Sequence, residues 1–173
     1  MSRLTWIILA TALFVATPWL AHDARAQGSV LGPRLLIETD DGADAVIGVE
    51  LRSELAPMGR NARLDVRPSF DYYVFDDNGA AGYDFDVFGL GLDGLFSFEV
   101  GPNAEVYGIA GVSVFILSVE TPVGDDTDTE VGVNLGVGAR FLTRGNVQPF
   151  FELRATIGDV EPVLLGGGIL FAL

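Results

Sequence analysis

The sequence predicts an all-β protein, an eight-stranded antiparallel up-and-down β-barrel that crosses a membrane. Three observations lead to this fold class. Apolar and polar residues alternate along most of the chain, as they do in strands. Turns that contain Gly, Pro, Asn or Asp separate eight such stretches. Every arginine within those stretches lies opposite the apolar face. A membrane barrel has this arrangement, because its apolar side chains meet lipid and its polar ones fill the lumen.

Residues 1–26 are predicted to be a signal peptide that is cleaved during export. Arg3 supplies the positive start, residues 4–20 are almost entirely apolar, and Ala24 to Ala26 has the small-x-small pattern of a signal-peptidase site. The alternative is a membrane anchor, but this apolar stretch is at the short end of what crosses a bilayer as a helix. Residues 27–173 are therefore expected to form the barrel as a single domain.

The composition of the barrel segment excludes several kinds of site. The full chain has 10 basic and 24 acidic residues; loss of Arg3, Asp23 and Arg25 with the signal leaves 8, all Arg, and 23. The only His and both Trp leave as well, and the chain has no Cys. Without His or Cys, neither a Ser-His-Asp triad nor a His or Cys metal site can be built. We expect no catalytic residue, no enzyme activity, no cofactor and, given the negative charge, no nucleic-acid partner.

Eight strands are predicted, and several of them are long. A tilted strand needs about 9–11 residues to cross a bilayer, whereas soluble strands usually have about 5–6. The fifth strand is apolar on both faces; we expect Val106, Val112 and Ile116 to point outward and Glu105 and Ser113 inward. The predicted bounds are 29–38, 44–55, 62–75, 84–100, 104–119, 129–142, 147–157 and 160–172.

Some aromatic residues are expected to form girdles at the two membrane interfaces. The alternative is ordinary core packing, and only the predicted topology favours girdles. The candidates are Tyr72, Tyr83, Phe85, Phe88, Phe96, Phe98 and Tyr107.

The connections after strands 1, 3, 5 and 7 are acidic and would lie outside the cell if the N-terminus is periplasmic. The longest of them, residues 120–129, contains the nearest approach to a metal site, Asp125, Asp126 and Asp128 with Glu130. Alternating carboxylates supply the oxygen ligands that Ca²⁺ prefers, but their spacing does not match the EF-hand loop. A solvated acidic loop is the interpretation we favour, and no metal site is predicted.

The candidate functional site is the polar lumen. An arginine facing lipid would cost about 2–4 kcal/mol at mid-depth, whereas arginines enclosed with carboxylates form bidentate pairs. We therefore expect a network of ion pairs that fills the barrel. Its predicted members are Arg34, Glu38, Glu50, Arg52, Glu54, Arg63, Asp65, Arg67, Asp71, Asp93, Glu99, Arg140, Glu152 and Arg154.

The chain resembles the small OmpA/OmpX-like outer-membrane β-barrel family over its whole predicted barrel. The resemblance rests on the signal, the eight inside-out strands and the last strand, Pro162 to Leu173. In that family the last strand carries a Gly and then alternating apolar residues up to a terminal aromatic, which the barrel-assembly machinery reads. Gly166, Ile169 and Phe171 fit this pattern, and Leu173 replaces the final Phe. The resemblance implies an outer-membrane location, and we expect lipid contact and a monomer.

Three functions remain open at this point. The first is a structural, envelope-integrity or surface-interaction role for a barrel with a plugged lumen. The second is a narrow porin-like channel or conduit for small solutes or apolar molecules. The third is a secreted, soluble lipocalin-like binding barrel, whose lumen would be apolar. The channel would need open space in the lumen. Glycines at inward positions could leave such space, and the candidates are Gly132, Gly136, Gly138, Gly166 and Gly168.

Overall fold

The computed structural model describes residues 28–39, 45–75, 84–121, 124–143, 145–159 and 161–173, with backbone alone for residues 84, 85, 119–121 and 124–126. The predicted signal segment and most of the acidic connections lie outside these ranges, as does Arg144. No helix in the described residues is long and apolar enough to cross a bilayer.

Eight strands form one closed barrel. Each strand pairs antiparallel with its neighbours in sequence, and β1 pairs with β8 to complete the ring. The predicted eight-stranded antiparallel up-and-down barrel is confirmed. The strands are β1 (Val30–Glu38), β2 (Ala45–Pro57), β3 (Ala62–Val74), β4 (Asp84–Gly101), β5 (Ala104–Thr121), β6 (Gly124–Phe141), β7 (Val147–Gly158) and β8 (Val163–Ala172).

The largest departure from the predicted bounds is at β6. This strand begins at Gly124 rather than at residue 129, and its ladder with β5 continues to the pair Thr121 and Gly124. The predicted loop at 120–129 is therefore wrong: residues 124–130 are polar on both faces, so they lack the apolar and polar alternation that marks the other strands. Backbone hydrogen bonds to β5 hold these residues in a strand whatever their side chains are.

The barrel has two ends, which we name by what they carry. The terminal end carries residues 28 and 173 and the turns β2–β3, β4–β5 and β6–β7; the loop end carries the other four connections. In the β2–β3 turn the Met58 N–H donates to the Ala62 carbonyl over 2.8 Å. Gly59 has a φ of 122° there, a conformation in which an L side chain is strained.

The outer face of the barrel is apolar. Val137 and Phe151 are 61% and 62% exposed, whereas Arg67 on the inner face is fully buried. Every arginine in the described strands lies on the inner side. Other exposed apolar side chains on this face are Leu35, Ile37, Ile47, Leu92, Val112, Val131, Val133, Leu135, Leu153, Ile157, Leu165 and Ile169.

The faces of β5 follow the predicted parity. Val106 and Val112 are exposed outside, and Glu105 and Ser113 are buried inside. Tyr107 shares the inner parity with Glu105 and is 3% exposed, so its assignment to an aromatic girdle was wrong. Among the other girdle candidates, outward rings pair at both ends: Phe96 with Phe98 (4.6 Å between ring centroids) towards the terminal end, and Tyr72 with Phe88 (5.2 Å) towards the loop end. Tyr83 and the Phe85 side chain lie outside the described part of the chain.

The charged lumen as candidate functional site

The middle of the lumen holds one connected network of charged side chains. Four guanidinium groups face four carboxylates, so the network carries no net charge. All eight residues are at most 3% exposed, and they project from β1, β2, β3, β4 and β7. The members are Arg34, Arg52, Arg67 and Arg154 with Glu50, Asp71, Asp93 and Glu152.

Arg34 and Arg154 share one carboxylate. Arg34 binds Asp71 in a bidentate pair, with Nε donating to Oδ1 over 2.9 Å and Nη2 donating to Oδ2 over 2.7 Å. Arg154 Nη2 donates to the same Oδ2 over 3.0 Å. The remaining nitrogen of Arg34, Nη1, donates to Glu50 Oε2 over 2.9 Å. Such bidentate pairs fix orientation as well as charge.

Arg67 is the hub of the network. Its Nη2 and Nε donate to Asp93 Oδ2 over 2.7 and 3.1 Å. Its Nη1 donates to Glu152 Oε2 and, over 3.4 Å, to Glu50 Oε2. One side chain on β3 thereby connects carboxylates on β2, β4 and β7.

Arg52 is held between two aromatic rings. Its guanidinium carbon lies 4.6 Å from the ring centroid of Tyr107 and 4.3 Å from that of Phe150, which are cation–π distances. Arg52 also donates to Glu50 through Nε and, over 3.1 Å, to the Tyr107 hydroxyl through Nη2. Its shared parity with Glu105 is the one sequence feature that points to a place for Tyr107 in this site.

Neutral side chains complete the network around Asp93. Asn134 Nδ2 donates to Asp93 Oδ1 over 2.8 Å and to Ser113 Oγ over 2.7 Å. Thr156 Oγ1 donates to Asn134 Oδ1 over 2.9 Å. Asn134 and Thr156 were missed as site residues, although each is a buried polar group on an inward position, and such groups require hydrogen-bond partners.

A second, smaller cluster lies towards the terminal end. Arg63 Nε donates to Asp65 Oδ1 over 3.0 Å, and Arg63 Nη2 also contacts Glu105. Arg140 Nη2 donates to Glu105 Oε1 over 2.9 Å, and Ser97 Oγ donates to Asp65 Oδ2 over 3.0 Å. Two arginines face two carboxylates, so this cluster is also neutral. Glu105 was predicted to face inward but was not included in the network.

Three predicted members lie away from these clusters. Glu54 and Glu99 are exposed at the terminal end, so the prediction that placed them in the lumenal network was wrong. Both stand where the strands reach past the filled part of the barrel, so water solvates their carboxylates. Glu54 borders a cavity of about 210 Å³ at this end, together with Arg63 and Arg140. Glu38 is half-buried at the loop end of β1.

Apolar layers lie on both sides of the central network. Towards the loop end, Tyr73 packs edge-on against Phe115, with 6.0 Å between ring centroids. Towards the terminal end, Phe150 packs with Val30 and Leu170. Charged groups in the middle of the lumen are therefore separated from bulk water in both directions. The loop-end layer consists of Leu36, Val46, Tyr73, Phe115 and Leu164.

The lumenal glycines do not leave open space. A Cβ added at Gly138 would lie 2.3 Å from the Tyr107 ring, and one at Gly132 would lie 2.3 Å from Thr156 Cγ2. Close contacts with backbone atoms, between 2.2 and 2.5 Å, would arise at Gly136, Gly166 and Gly168. The interpretation of these glycines as open space in the lumen was therefore wrong, because neighbouring side chains and backbone already occupy that space.

The site is built for charge compensation. Each carboxylate of the two clusters accepts at least one hydrogen bond from an arginine. No group of His, Cys, Asp or Glu suited to a metal ion occurs among the residues with described side chains. Of the acidic segment considered for Ca²⁺, Asp128 and Glu130 lie in β6, and the side chains of Asp125 and Asp126 fall outside the described structure.

Solved structures of three outer-membrane proteins share this architecture. The N-terminal β-barrel domain of Pseudomonas aeruginosa OprF matches with a TM-score of 0.62 at 16% identity, over 84% of this chain and 97% of that one. Ail of Yersinia pestis matches at 0.59 and 14%, over 83% and 96%. Neisserial surface protein A matches at 0.59 and 15%, over 84% and 95%. The chain has the fold of the small eight-stranded outer-membrane β-barrels.

Likeness to these outer-membrane barrels is a likeness of fold. No protein-family profile and no curated protein matches the sequence. A second structure of Ail contains the heparin analogue sucrose octasulfate. In the present barrel, the predicted assembly signal lies along β8, where Ile169 and Phe171 point outward and Gly166 packs against the backbone of Leu35. Leu173 follows the strand and is 73% exposed.

Proposed function

We propose that the protein is an integral outer-membrane barrel that strengthens the envelope and presents its loop end as an interaction surface. The observation that carries the proposal is the reversal of faces, with a neutral ion-pair network inside and an apolar surface outside. A soluble lipocalin-like barrel needs the opposite arrangement. Outer-membrane lipid is then its main surrounding partner, and the barrel-assembly machinery acts on β8 during biogenesis.

A plugged barrel is supported better than a channel. Eight strands enclose an interior that side chains just fill, and here Arg67 and its partners span it between two apolar layers. Conduction would require these ion pairs to separate inside the barrel, which is strongly unfavourable. We therefore expect no steady conductance from the purified protein in a planar lipid bilayer. Stable single-channel steps would favour the conduit instead.

The described part of the loop end is acidic. Asp128, Asp159 and Glu161 are exposed there, and no arginine of the described chain lies at this end. A polyanion such as the heparin analogue found with Ail would meet like charge on this surface. Cationic partners are therefore the class that the proposed interaction surface favours.

Cell fractionation tests the membrane location. We expect the mature protein in the outer-membrane fraction, extracted only by detergent, and we expect the unheated protein to migrate on SDS gels differently from the heated protein. A closed barrel resists SDS until heated, which gives this difference. Recovery of the protein as a soluble monomer without detergent would refute the proposal.

A further inference from the structure

A polar cavity of about 210 Å³ lies at the terminal end of the barrel. Val30 belongs to its lining and also to the apolar layer with Phe150 and Leu170, which separates the cavity from the central network. Pockets for drug-sized ligands usually measure about 300–1,000 Å³, so this cavity suits the end of a chain rather than a whole molecule of that size. Its polar lining consists of Ser29, Glu54, Arg63, Arg140 and Gln148.

Glu54 contributes the uncompensated charge of this lining. The two arginines of the lining bind Asp65 and Glu105, and these four charges cancel. Glu54 is exposed and makes no hydrogen bond or ion pair with any residue that the structure describes. The described part of the lining therefore has one excess negative charge, which favours a cationic ligand.

Two buried polar atoms beside the cavity also lack partners within the described structure. The side-chain oxygen of Gln148, Oε1, accepts no hydrogen bond, and Nε of Arg140 donates none. Arg140 is only 5% exposed, and a buried polar group without a partner is unfavourable. A ligand that offers both a donor and an acceptor would satisfy these two atoms.

The α-ammonium end of a peptide chain combines these properties. An ammonium group carries a positive charge and three N–H donors, which suit the carboxylate of Glu54 and the side-chain oxygen of Gln148. The carbonyl of the first peptide residue is a neutral acceptor, so it suits Arg140 Nε without adding charge. A free carboxylate would instead add a second uncompensated negative charge to the cavity.

We propose that the terminal-end cavity binds the α-ammonium group of a peptide N-terminus, with Glu54 as its counter-ion. Two sources of this group are this chain and a separate peptide, and the experiment below distinguishes them. The inference goes beyond the proposed function, because it concerns the end opposite the proposed interaction surface.

The chain itself is the first source. Gln27 lies outside the described residues, but Gly28 borders the cavity, and the predicted cleavage after Ala26 leaves Gln27 as the first residue. Consecutive Cα atoms are about 3.8 Å apart, so covalent connectivity alone brings the new α-ammonium close to the cavity. Until cleavage the same nitrogen is an uncharged amide. Removal of the signal then supplies the positive charge that the lining lacks.

The test measures how fast an amine-reactive ester labels the mature barrel in detergent micelles. The α-amine is the only primary amine of the mature chain, because the sequence contains no lysine. All variants carry Gln27→Ala, since an N-terminal glutamine cyclises with loss of ammonia and no longer has a primary amine. A carboxylate beside the ammonium raises the pKa of the amine, so less of the reactive neutral form is present at neutral pH.

Glu54→Gln is the variant that removes the proposed counter-ion. We expect it to speed labelling about threefold, as a fall of about half a unit in the pKa of the amine implies. Glu99→Gln is the matched control, because it removes an exposed carboxylate at the same end that does not border the cavity. We expect Glu99→Gln to leave the rate unchanged. The heat-dependent gel shift checks that both variants remain folded.

A fluorescent trialanine amide with a free N-terminus tests the separate peptide, and its N-acetylated form is the control. Both are titrated against the untreated barrel and against a barrel whose own α-amine has been acetylated. Binding to the acetylated barrel alone, together with faster labelling of Glu54→Gln, assigns the cavity to the chain's own N-terminus. Equal binding to both barrels that falls about tenfold in Glu54→Gln, together with unchanged labelling, assigns it to a separate peptide.

Two results would overturn the inference. One is an unchanged labelling rate in Glu54→Gln combined with equal binding of the free and the acetylated peptide. The other is equally fast labelling of Glu54→Gln and Glu99→Gln, which would show a general effect of charge at this end. Intact mass identifies the first residue, and a start elsewhere than residue 27 excludes the chain as the source and leaves the peptide titration to decide. Micelle assays do not depend on cellular location, so cell fractionation tests the proposed function separately.

Discussion

Arg67 shows at the scale of single residues why this lumen uses arginine. Its planar group donates to Asp93 and Glu152 and, over a longer distance, to Glu50. A lysine ammonium has three donors on one point charge and cannot reproduce this fork. The complete absence of lysine from the chain agrees with such geometry.

Removing Arg67 should therefore be costly. Arg67→Met leaves three buried carboxylates short of a partner, and we expect the free energy of unfolding to fall by about 3–5 kcal/mol. Urea unfolding in lipid vesicles, followed by circular dichroism because both Trp lie within residues 1–26, measures this change. Arg60→Met, at an exposed turn, removes the same charge and should change stability by less than about 0.5 kcal/mol. Equal effects would contradict a role for the network in stability.

Gly138 and Gly108 provide a matched pair of glycines on opposite faces. Gly138→Ala would push a Cβ into the Tyr107 ring, whereas a Cβ at Gly108 meets no atom within 4 Å. We expect Gly138→Ala to destabilise the barrel by about 1–3 kcal/mol through overpacking, and Gly108→Ala to be neutral or slightly stabilising. The same unfolding measurement compares them. A tolerated Gly138→Ala would mean that the lumen has the spare room the channel alternative needs.

β6 shows what an element contributes that its residues alone do not. Along Val131–Phe141 the odd positions face outward and all but the half-buried Ala139 are exposed, and the even positions form the lumen wall with Asn134 and Arg140. A shift of one residue would place Arg140 against lipid and the valines in the charged lumen. The alternation therefore fixes the register of this strand.

Val137→Arg tests the outward face of β6. Val137 lies near the middle of the exposed apolar run, so an arginine there should cost about 2–4 kcal/mol in a lipid bilayer. Val137→Leu is the control and should be nearly neutral. Reversible unfolding in vesicles gives both values. A soluble barrel would tolerate the arginine at this exposed position without loss.

Period-two alternation was sufficient to predict the eight strands and the parity of β5, because side-chain direction in a strand depends only on position. It failed where composition opposed it, at 120–129, since an acidic strand beyond the membrane has no apolar face to reveal it. The sequence was sufficient to predict that carboxylates face Arg67 in the lumen. It could not predict which carboxylate pairs with which arginine, because that depends on the register across the whole barrel. Tyr107 was missed for a related reason: a ring suits both a girdle and a lumen.

At the scale of the whole molecule, the two ends of the barrel should face different compartments. Because the chain contains no lysine, a single introduced lysine reports the orientation of its end. We expect an amine-reactive reagent that cannot cross membranes to label Asp159→Lys in intact cells, and to label Arg60→Lys only after permeabilisation. The unsubstituted protein is the control for labelling of the N-terminus. The reverse pattern would show that the loop end faces the periplasm.

The central network also sets an order of events for assembly. Arg67 and Glu152 lie 85 positions apart in the chain, so this contact cannot form until β7 has joined the sheet. An open sheet of the earlier strands would carry Arg34, Glu50 and Arg67 on a bare face, which hydrocarbon accepts only at high cost. The strands therefore cannot pass into lipid one hairpin at a time. The chain becomes compatible with the bilayer core only when the cylinder is nearly closed, and electrical neutrality inside it is the condition for that step.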